Sequence, residues 1–566
     1  WETAIEEELN NLLNMGTYEL ISISDLPPNA QLVDNRWVFK AKLDRNGDIA
    51  RFRARTVARG FSQRPGIDYN EDECYAPVVM YDTLRTCLSI AASTNAPQQP
   101  NGSEDNQNTA IPPKRGLEIV CADIKNAYLT GHLDRPIYMR QPASHNIKYD
   151  SQGRPMVWRL LRPIYGLKQS GHIFASVLHG FLEDELKMTR LVSDRCAFVK
   201  SGDPTTWDGT EENTHGKLDH NGGQLIVLSY VDDLTIIGSR AQIDWLMKRL
   251  RNRFTLQETE TGDIDYILSI GITRDRTNGT ISLNQIAAIE KIAQALDITH
   301  DKPSVQTPMK VTPLTKLEQP SDDPTVKNFP YLETIGSLLH ISQCTRPDIS
   351  YAVGALAQHS LTVGPEHVKA AKRVVQYLYN TRTLCIKYGH STNINEPLVY
   401  EAGRAPDDAP LPIAYSDADY AMNKPTRRST SGGVIFLNGG PITWSSKLQK
   451  ITALSTAEAE IIAATDITKE IVHLRLLLSE LNVRDNSPIA IHEDNQACIL
   501  MGNGMKSSRA AKHYEIRLHY LQESIKSQVI KFIYSPTEDM VADTFTKPLD
   551  NDKFIKFRNA MLYEPD

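Results

Sequence analysis

The sequence predicts a multidomain chain of mixed class, an α+β unit followed by an α/β unit, with a separate set of acids in each. Three observations carry this. Two adjacent aspartates interrupt a very apolar stretch, a second series of strand and helix acids lies near the C-terminus, and 566 residues are too many for one core.

The apolar stretch is LIVLSYVDDLTIIG, Leu225 to Gly238. Leu225 to Leu228 and Leu234 to Ile237 each have the length and β-branched content of a buried strand, so the segment reads as a hairpin with acid at its tip. A buried strand tolerates ionised carboxylates only where they meet water or a counter-cation, which makes Asp232 and Asp233 candidate metal ligands. The alternative is a polar hairpin turn, but turns favour Asn-Gly or Asp-Gly. Upstream, EIVCADIKNAYLTG (Glu118 to Gly131) is an apolar strand running into Asp123. Hard cations bridging a phosphoryl displacement need carboxylates from different strands, and these two segments supply them.

Residues 1 to about 94 mix a short amphipathic helix with strands. Between Arg36 and Arg64 nine Lys and Arg face two Asp, in a chain of net charge -7. Such a basic stripe suits phosphate contacts, and a solvated charged sheet face explains it equally well. Asn95 to Gly116 and Ser201 to Gly223 are polar inserts, read as exposed loops. Asn284 to Leu296 is a helix with one apolar face. Asp301 to Pro330 reads as a Pro-rich linker, Tyr331 to Tyr388 as a mostly helical connection, and Asn393 to Pro412 as a second linker.

The last unit opens with the strand PIAYSDADYA, which places Asp417 and Asp419 on one face. Two hairpin-linked strands follow, then a long helix from Ser455. Ser455 and Glu458 have capping-box spacing, which accounts for Glu458 locally. Glu460 instead aligns with Ala464, Ile467, Ile471, Leu474 and Leu478, an acid at the end of the stripe that should face the sheet. The strand PIAIHED ends at Asp494, and VADTFTKP is expected to place Asp543 on a C-terminal helix. Strand, helix, strand-end and late-helix acids in that order make the four-carboxylate arrangement of a ribonuclease H fold. The basic run Lys506 to Lys526 contains His513, Arg517 and His519 and is either a nucleic-acid contact or a solvated helix face.

Asp123 with Tyr128, YGLKQSG (Tyr165 to Gly171), YVDD (Tyr230 to Asp233), RFRARTVARGF (Arg51 to Phe61) and TRPDISYAV (Thr345 to Val353) resemble the reverse transcriptase of copia-type LTR retrotransposons. SDADYA, STAEAE, EDNQA and VADTFTKPL resemble the ribonuclease H domain that follows it. The resemblance runs nearly end to end. It implies a right-hand polymerase with fingers, palm and thumb over residues 1–295, a linker and helical connection over 296–410, and a ribonuclease H-like domain over 411–566. It further implies RNA-directed DNA synthesis coupled to cleavage of RNA in RNA–DNA hybrids. Asp123, Asp232, Asp233 and the Ile124 carbonyl would hold two Mg2+ in one site, and Asp417, Glu460, Asp494 and Asp543 two in the other, with Mn2+ as a substitute. Arg53 and Arg55, rather than Arg59, are the expected triphosphate contacts. Tyr128 sits at the position of an aromatic gate against ribose, Gln169 at that of a nucleotide contact, and Tyr266 to Ile272 where a primer grip would lie. Implied partners are an RNA template, a DNA or tRNA primer, the hybrid, deoxynucleoside triphosphates and other Pol products such as integrase, in a cytoplasmic virus-like particle or the nucleus. After Lys168-Gln169-Ser170 the family commonly has Pro-Arg and a Trp. Here Gly171, His172, Ile173 and Phe174 follow, with Phe174 expected to fill the space of the indole.

Hydrophobic residues at 40% and charged residues at 23% are ordinary for a globular protein, and no apolar run reaches the ~20 residues that span a bilayer. Seven cysteines without a CxxC pair argue against a structural zinc. A start at Trp1 without methionine is expected of a piece of a longer polyprotein. Two other readings stay open: an inert, domesticated copy that only binds nucleic acid, and calcium sites, which the absence of a Gly-centred calcium loop disfavours.

Overall fold

The computed structural model describes residues 1–43, 49–93, 117–143, 147–207, 224–258, 264–299, 304–312, 314–389, 412–483, 487–505 and 514–565. Most of both expected inserts, the linker around 400 and His513 fall outside the described residues.

The acid-tipped hairpin is the centre of a six-stranded antiparallel sheet. In spatial order its strands are Leu256–Glu258, Glu118–Ile124, Asp233–Gly238, Gln224–Tyr230, Ala197–Ser201 and Thr189–Arg190. Residues of alternate parity feed two different cores. Ala122, Ile124, Leu225, Val227, Leu234 and Ile236 pack with Phe174, Leu178, Leu246 and Leu250 of the helices Ser170–Gly180 and Arg240–Arg253. Ile119, Ile226, Leu228 and Ile237 pack on the opposite side with Leu84, Cys87 and Leu88 of the helix Tyr81–Ser93. Burial on both faces explains why these strands read as continuous apolar runs rather than alternating ones. Phe174 is fully buried, as expected of the group replacing an indole, and Gly171 lies against Ala76, where an added Cβ would come within 2.8 Å of the Ala76 Cβ.

The basic segment forms the two-stranded hairpin Asn35–Leu43 and Ile49–Ala58. Its base is tied to the 165–168 loop by the Ala58 N–H donating to the Tyr165 carbonyl at 2.8 Å. Gly166 makes this approach possible: its φ is +92°, and a Cβ there would lie 2.1 Å from the Ala58 carbonyl oxygen.

The hairpin Tyr266–Ile267 and Ile270–Asp275 pairs on to Thr280–Asn284, and Ile386–Tyr388 closes that sheet after a helical excursion of about a hundred residues. The helices Tyr331–Cys344, Ser350–Ala357 and Pro365–Asn380 make up most of that excursion, in the stretch expected to be helical. One sheet therefore bridges the expected division at residue 295.

The C-terminal unit is a five-stranded sheet in the order Gly440–Leu448, Thr430–Leu437, Ile413–Ala418, Ile489–Glu493, Ile530–Tyr534, antiparallel across the first three and parallel across the last three. This mixed order, with the helix Thr456–Glu480 on the sheet, is the expected ribonuclease H-like arrangement. The unit is packed against the six-stranded sheet and its helix Tyr81–Ser93, which together form the palm of the polymerase unit. Arg85 lies over the Trp444 ring at 4.0 Å and donates to the carbonyls of Ile442 and Gln343, both at 2.7 Å, while Glu480 accepts from the backbone N–H groups of Val192 and Ser193. No helix among the described residues is long and apolar enough to cross a membrane.

Candidate active sites

In the palm, register does what spacing alone could not specify. Asp233 is the direct cross-strand partner of Asp123, and Asp232 occupies the two-residue turn with Val231 at φ 55°. The Asp232 carbonyl also accepts from the Ile124 N–H at 2.9 Å, locking the turn to the neighbouring strand. Like charges directly opposite in a sheet repel, and a cation between them would relieve that repulsion. Partial burial first, then Asp232 and Asp123, push the Asp233 carboxyl up to about 6.

Around these acids, Tyr128 stands on a short 3-10 turn, Ala127–Thr130, half-buried and edge-on to Tyr165 at 4.9 Å and Phe174 at 6.4 Å. Burial raises its hydroxyl pKa, with Asp232 the next cause. Arg53 and Arg55 share one face of the fingers hairpin, and Arg55 lies 4.2 Å over the Tyr165 ring. Arg59 stands beyond the strand, in a groove of about 720 Å3 with Arg36, Phe61 and Lys168. Gln169 is buried, its carbonyl accepts from Gln63 at 3.1 Å and its amide donates to the Asp68 carbonyl at 3.0 Å. With one bond at each end of the amide it braces the 63–69 loop. The Tyr266–Ile272 segment is a tight hairpin with Leu268 and Ser269 at positive φ.

The second site lies where the strands Ile413–Ala418 and Ile489–Glu493 of the C-terminal sheet diverge. Asp417, Glu460 and Asp494 bring carboxylate oxygens within 4.8 Å of one another, the one such group of three among the described residues. Each is placed by local chemistry. Asp417 ends a buried strand. Glu460 is in the second turn of the long helix, whose first turn is fixed by Ser455 Oγ accepting from the Glu458 N–H at 3.1 Å; the Glu458 carboxylate reaches back to the Leu454 N–H at 2.8 Å, one residue beyond a capping box. Asp494 immediately precedes Asn495, which caps the helix Gln496–Gly502 by accepting from the Cys498 N–H. Thr537 donates to Asp494 at 2.7 Å. Burial, then the neighbouring acids, raise the carboxyls of Asp417 and Glu460 well above the usual range, and Glu460 Oε2 is buried without a hydrogen-bond partner. An orphaned buried oxygen facing two further carboxylates is a donor set that fits a divalent cation.

Asp543 is corrected in its placement: it sits on a 3-10 turn, Val541–Phe545, not on the C-terminal helix, which is Asn551–Met561. It lies beside the group of three and is paired with Lys547 and Lys553, each at 2.5 Å. Sequence reading missed Glu493, which is fully buried beneath the site with Oε2 unpartnered and its carboxyl raised by burial and by Asp417. Its signal was present: Ile489, Ile491 and Glu493 are in phase along the strand, an acid on an apolar face. In the basic helix, Arg517 pairs with Asp466 at 3.7 Å and His519 approaches Glu515 at 4.0 Å, so neither faces the acids.

These shifts fix a sign for stability. An acid whose folded pKa is raised binds its proton more tightly folded than unfolded, so metal-free stability is higher below the raised pKa and falls as pH rises through it. These acids oppose folding of the metal-free chain more at pH 8 than at pH 5, while His179, His359 and His492, whose pKa values burial lowers to about 4, act in the opposite sense, so the sign is read as a difference: Glu460→Gln, which removes one buried charge, is expected to gain melting temperature over the parent at pH 8 relative to pH 5. Scanning calorimetry of both proteins across this range checks it; parallel slopes would refute the assignment.

A sheet bearing paired strand acids, joined to a ribonuclease H-like sheet with its own acids, is the architecture of a polymerase fold followed by a ribonuclease H-like fold. The reverse transcriptase (RNA-dependent DNA polymerase) family matches residues 16–99 and 108–311. The chain belongs to this family, in its copia-type retrotransposon branch. It is 31% identical over 97% of its length to the retrovirus-related Pol polyprotein from transposon TNT 1-94 of Nicotiana tabacum, and 30% identical over 99% to that from transposon RE1 of Arabidopsis thaliana. It spans 37% and 34% of those two proteins. A solved foamy viral protease-reverse transcriptase in complex with dsDNA aligns with 94% of this chain and 83% of its own, at 14% identity and a TM-score of 0.43.

Proposed function

We propose that this chain copies an RNA template into DNA and cleaves the RNA strand of the resulting hybrid, with polymerase over residues 1–295, connection over 296–410 and ribonuclease H over 411–566. The observation that carries the reading is the cross-strand pairing of Asp123 with Asp233, beside Asp232, in a member of the reverse transcriptase family. Asp123, Asp232 and Asp233, with the Ile124 carbonyl, hold divalent cations in the palm; Asp417, Glu460 and Asp494 do so in the second site. When bound, such ions, Mg2+ with Mn2+ as a substitute, lower the pKa of the attacking hydroxyl or water and neutralise charge on the phosphate undergoing displacement. Arg53 and Arg55 contribute fixed positive charge toward a triphosphate, Arg55 being held by the Tyr165 ring. The Tyr128 ring, fixed edge-on between Tyr165 and Phe174, blocks a ribose 2′-hydroxyl, and Tyr128→Ala is expected to raise ribonucleotide incorporation at least tenfold in single-nucleotide extension, an unchanged ratio counting against the gate. Gln169 acts by bracing the 63–69 loop. RNA is selected in the second site because DNA lacks the 2′-hydroxyl contact.

The test is primer extension by the purified chain on an end-labelled RNA template with Mg2+ and deoxynucleotides, with and without chelator. Extension and template cleavage, both abolished by chelator, are expected. Neither reaction under Mg2+ or Mn2+ would favour an inert, nucleic-acid-binding copy.

A further inference from the structure

Divalent-ion chemistry at the C-terminal site, as proposed above, leaves one feature unaccounted for: Asp543, beside it, is already paired with two ammonium groups. Asp543 is completely buried, Oδ2 accepting a hydrogen bond from the Lys553 ammonium and Oδ1 in an ion pair with the Lys547 ammonium, each at 2.5 Å, the Lys547 contact lacking hydrogen-bond geometry. The Lys547 Nζ is also 4.0 Å from Asp417 Oδ2, and the Thr546 hydroxyl donates to that same oxygen. Lys547 thus stands between the two carboxylates Asp417 and Asp543. On the other flank of Asp417, Glu460 and Asp494 gather farther from Lys547, whose charge still reaches Asp494, and Glu460 Oε2 is buried without a hydrogen-bond partner. The site is therefore asymmetric: the Asp417–Glu460–Asp494 side has an unsatisfied buried oxygen, and the Asp417–Asp543 side is filled by a tethered ammonium.

We propose that Lys547 is a resident counter-ion occupying the second cation position, so that a first divalent ion binds at Asp417, Glu460 and Asp494 and a second binds only by displacing the Lys547 ammonium. Displacement is feasible because Asp543 keeps Lys553 on its other oxygen and is not left as an isolated buried charge. The Lys547 side chain is one-third exposed, so the released ammonium has water to enter. The two ions then bind with unequal affinity, and the second sets the divalent-ion concentration at which the site is complete. Lys547 is a positioning residue in this scheme, acting through occupancy.

The test uses the full chain with Asp232→Asn and Asp233→Asn, which silence metal binding in the palm, titrated with Mn2+ while free ion is followed by electron paramagnetic resonance. One tight ion and a second at least tenfold weaker are expected. Lys547→Met should tighten the second at least tenfold and the first by clearly less, whereas Lys547→Arg, which keeps the charge, should leave the second weak. Unchanged second-ion affinity in Lys547→Met, or equal tightening in both variants, overturns the proposal. The protein without a Lys547 substitution gives an independent readout: acetylation of Lys547 by an amine-reactive ester, measured by mass spectrometry, should rise as the second ion binds, and constant reactivity overturns the proposal equally. Failure of the underlying reading looks different: no bound ion that Glu460→Gln removes would mean that the acids hold no metal at all.

Discussion

Asp348→Ala is expected to cost the chain about 3 to 5 kcal/mol of stability, the range for stranding a buried charge. Arg346 and Asp348 face each other in the turn that opens the helix Ser350–Ala357, their side chains 1% and 0% exposed, so neither charge is solvated. The guanidinium meets the carboxylate through two bonds, Nε to Oδ1 at 2.9 Å and Nη2 to Oδ2 at 2.7 Å. Its remaining donors reach the Thr381 carbonyl and hydroxyl, and the Tyr377 hydroxyl donates to Asp348 Oδ2 at 2.6 Å. Removing the carboxylate leaves the guanidinium buried and uncompensated. Against a typical folding stability of about 5 to 15 kcal/mol, that is a large fraction. Tyr377 also packs edge-on against Phe554 of the last helix, so the damage spreads from the connection into the ribonuclease H unit. Urea unfolding should show the lowered midpoint, and Arg346→Met with Asp348→Leu should recover most of it, because removing both charges spares both desolvation costs. A midpoint for Asp348→Ala within 1 kcal/mol of the parent would show that the pair is not what holds the connection.

This network, in the segment TRPDISYAV, shows where sequence legibility ends. The motif carries part of the family resemblance but gives no hint that its Arg and Asp face each other, because residues two apart in a turn have no fixed relation until a third element, here Tyr377, closes over them. The catalytic hairpin was legible because two adjacent acids between apolar runs suit little besides an acid-tipped pair of buried strands. The pairing of Asp123 with Asp233 was not, since a one-residue slip in register would send one of them to the other face. Glu460 was legible from helical phase. The lysine clamp on Asp543 was not, because a lysine four residues on and another ten on look like ordinary surface charge until a buried acid is found between them. The closure of the 266–284 sheet by Ile386–Tyr388 depends on contacts across about a hundred residues, beyond any local pattern.

Asp232→Asn and Asp494→Asn are expected to separate the two activities, each losing at least about a thousandfold in its own reaction and almost nothing in the other. Asparagine keeps the shape of aspartate but not its charge, so the loss reports cation binding rather than packing. A thousandfold loss is about 4 kcal/mol of transition-state stabilisation, the scale of a misplaced or missing metal ion. Independence follows from construction: the palm acids are set by one sheet and the second site by another, and the surfaces joining them, Arg85 against Trp444 and Glu480 against the 192–193 turn, contain none of the candidate ligands. Extension and template cleavage measured in one reaction give both rates for each variant. The parent protein adds a second discriminator, because Asp233 must be ionised to hold a cation and its carboxyl lies at about 6. At limiting Mg2+ extension should fall as pH drops through that value, and excess Mg2+ should move the fall to lower pH, since cation and proton compete for one oxygen. A Mg2+-independent acid limb, or loss of cleavage in Asp232→Asn, would mean that the two sites are not the separate metal-binding centres that their geometry implies.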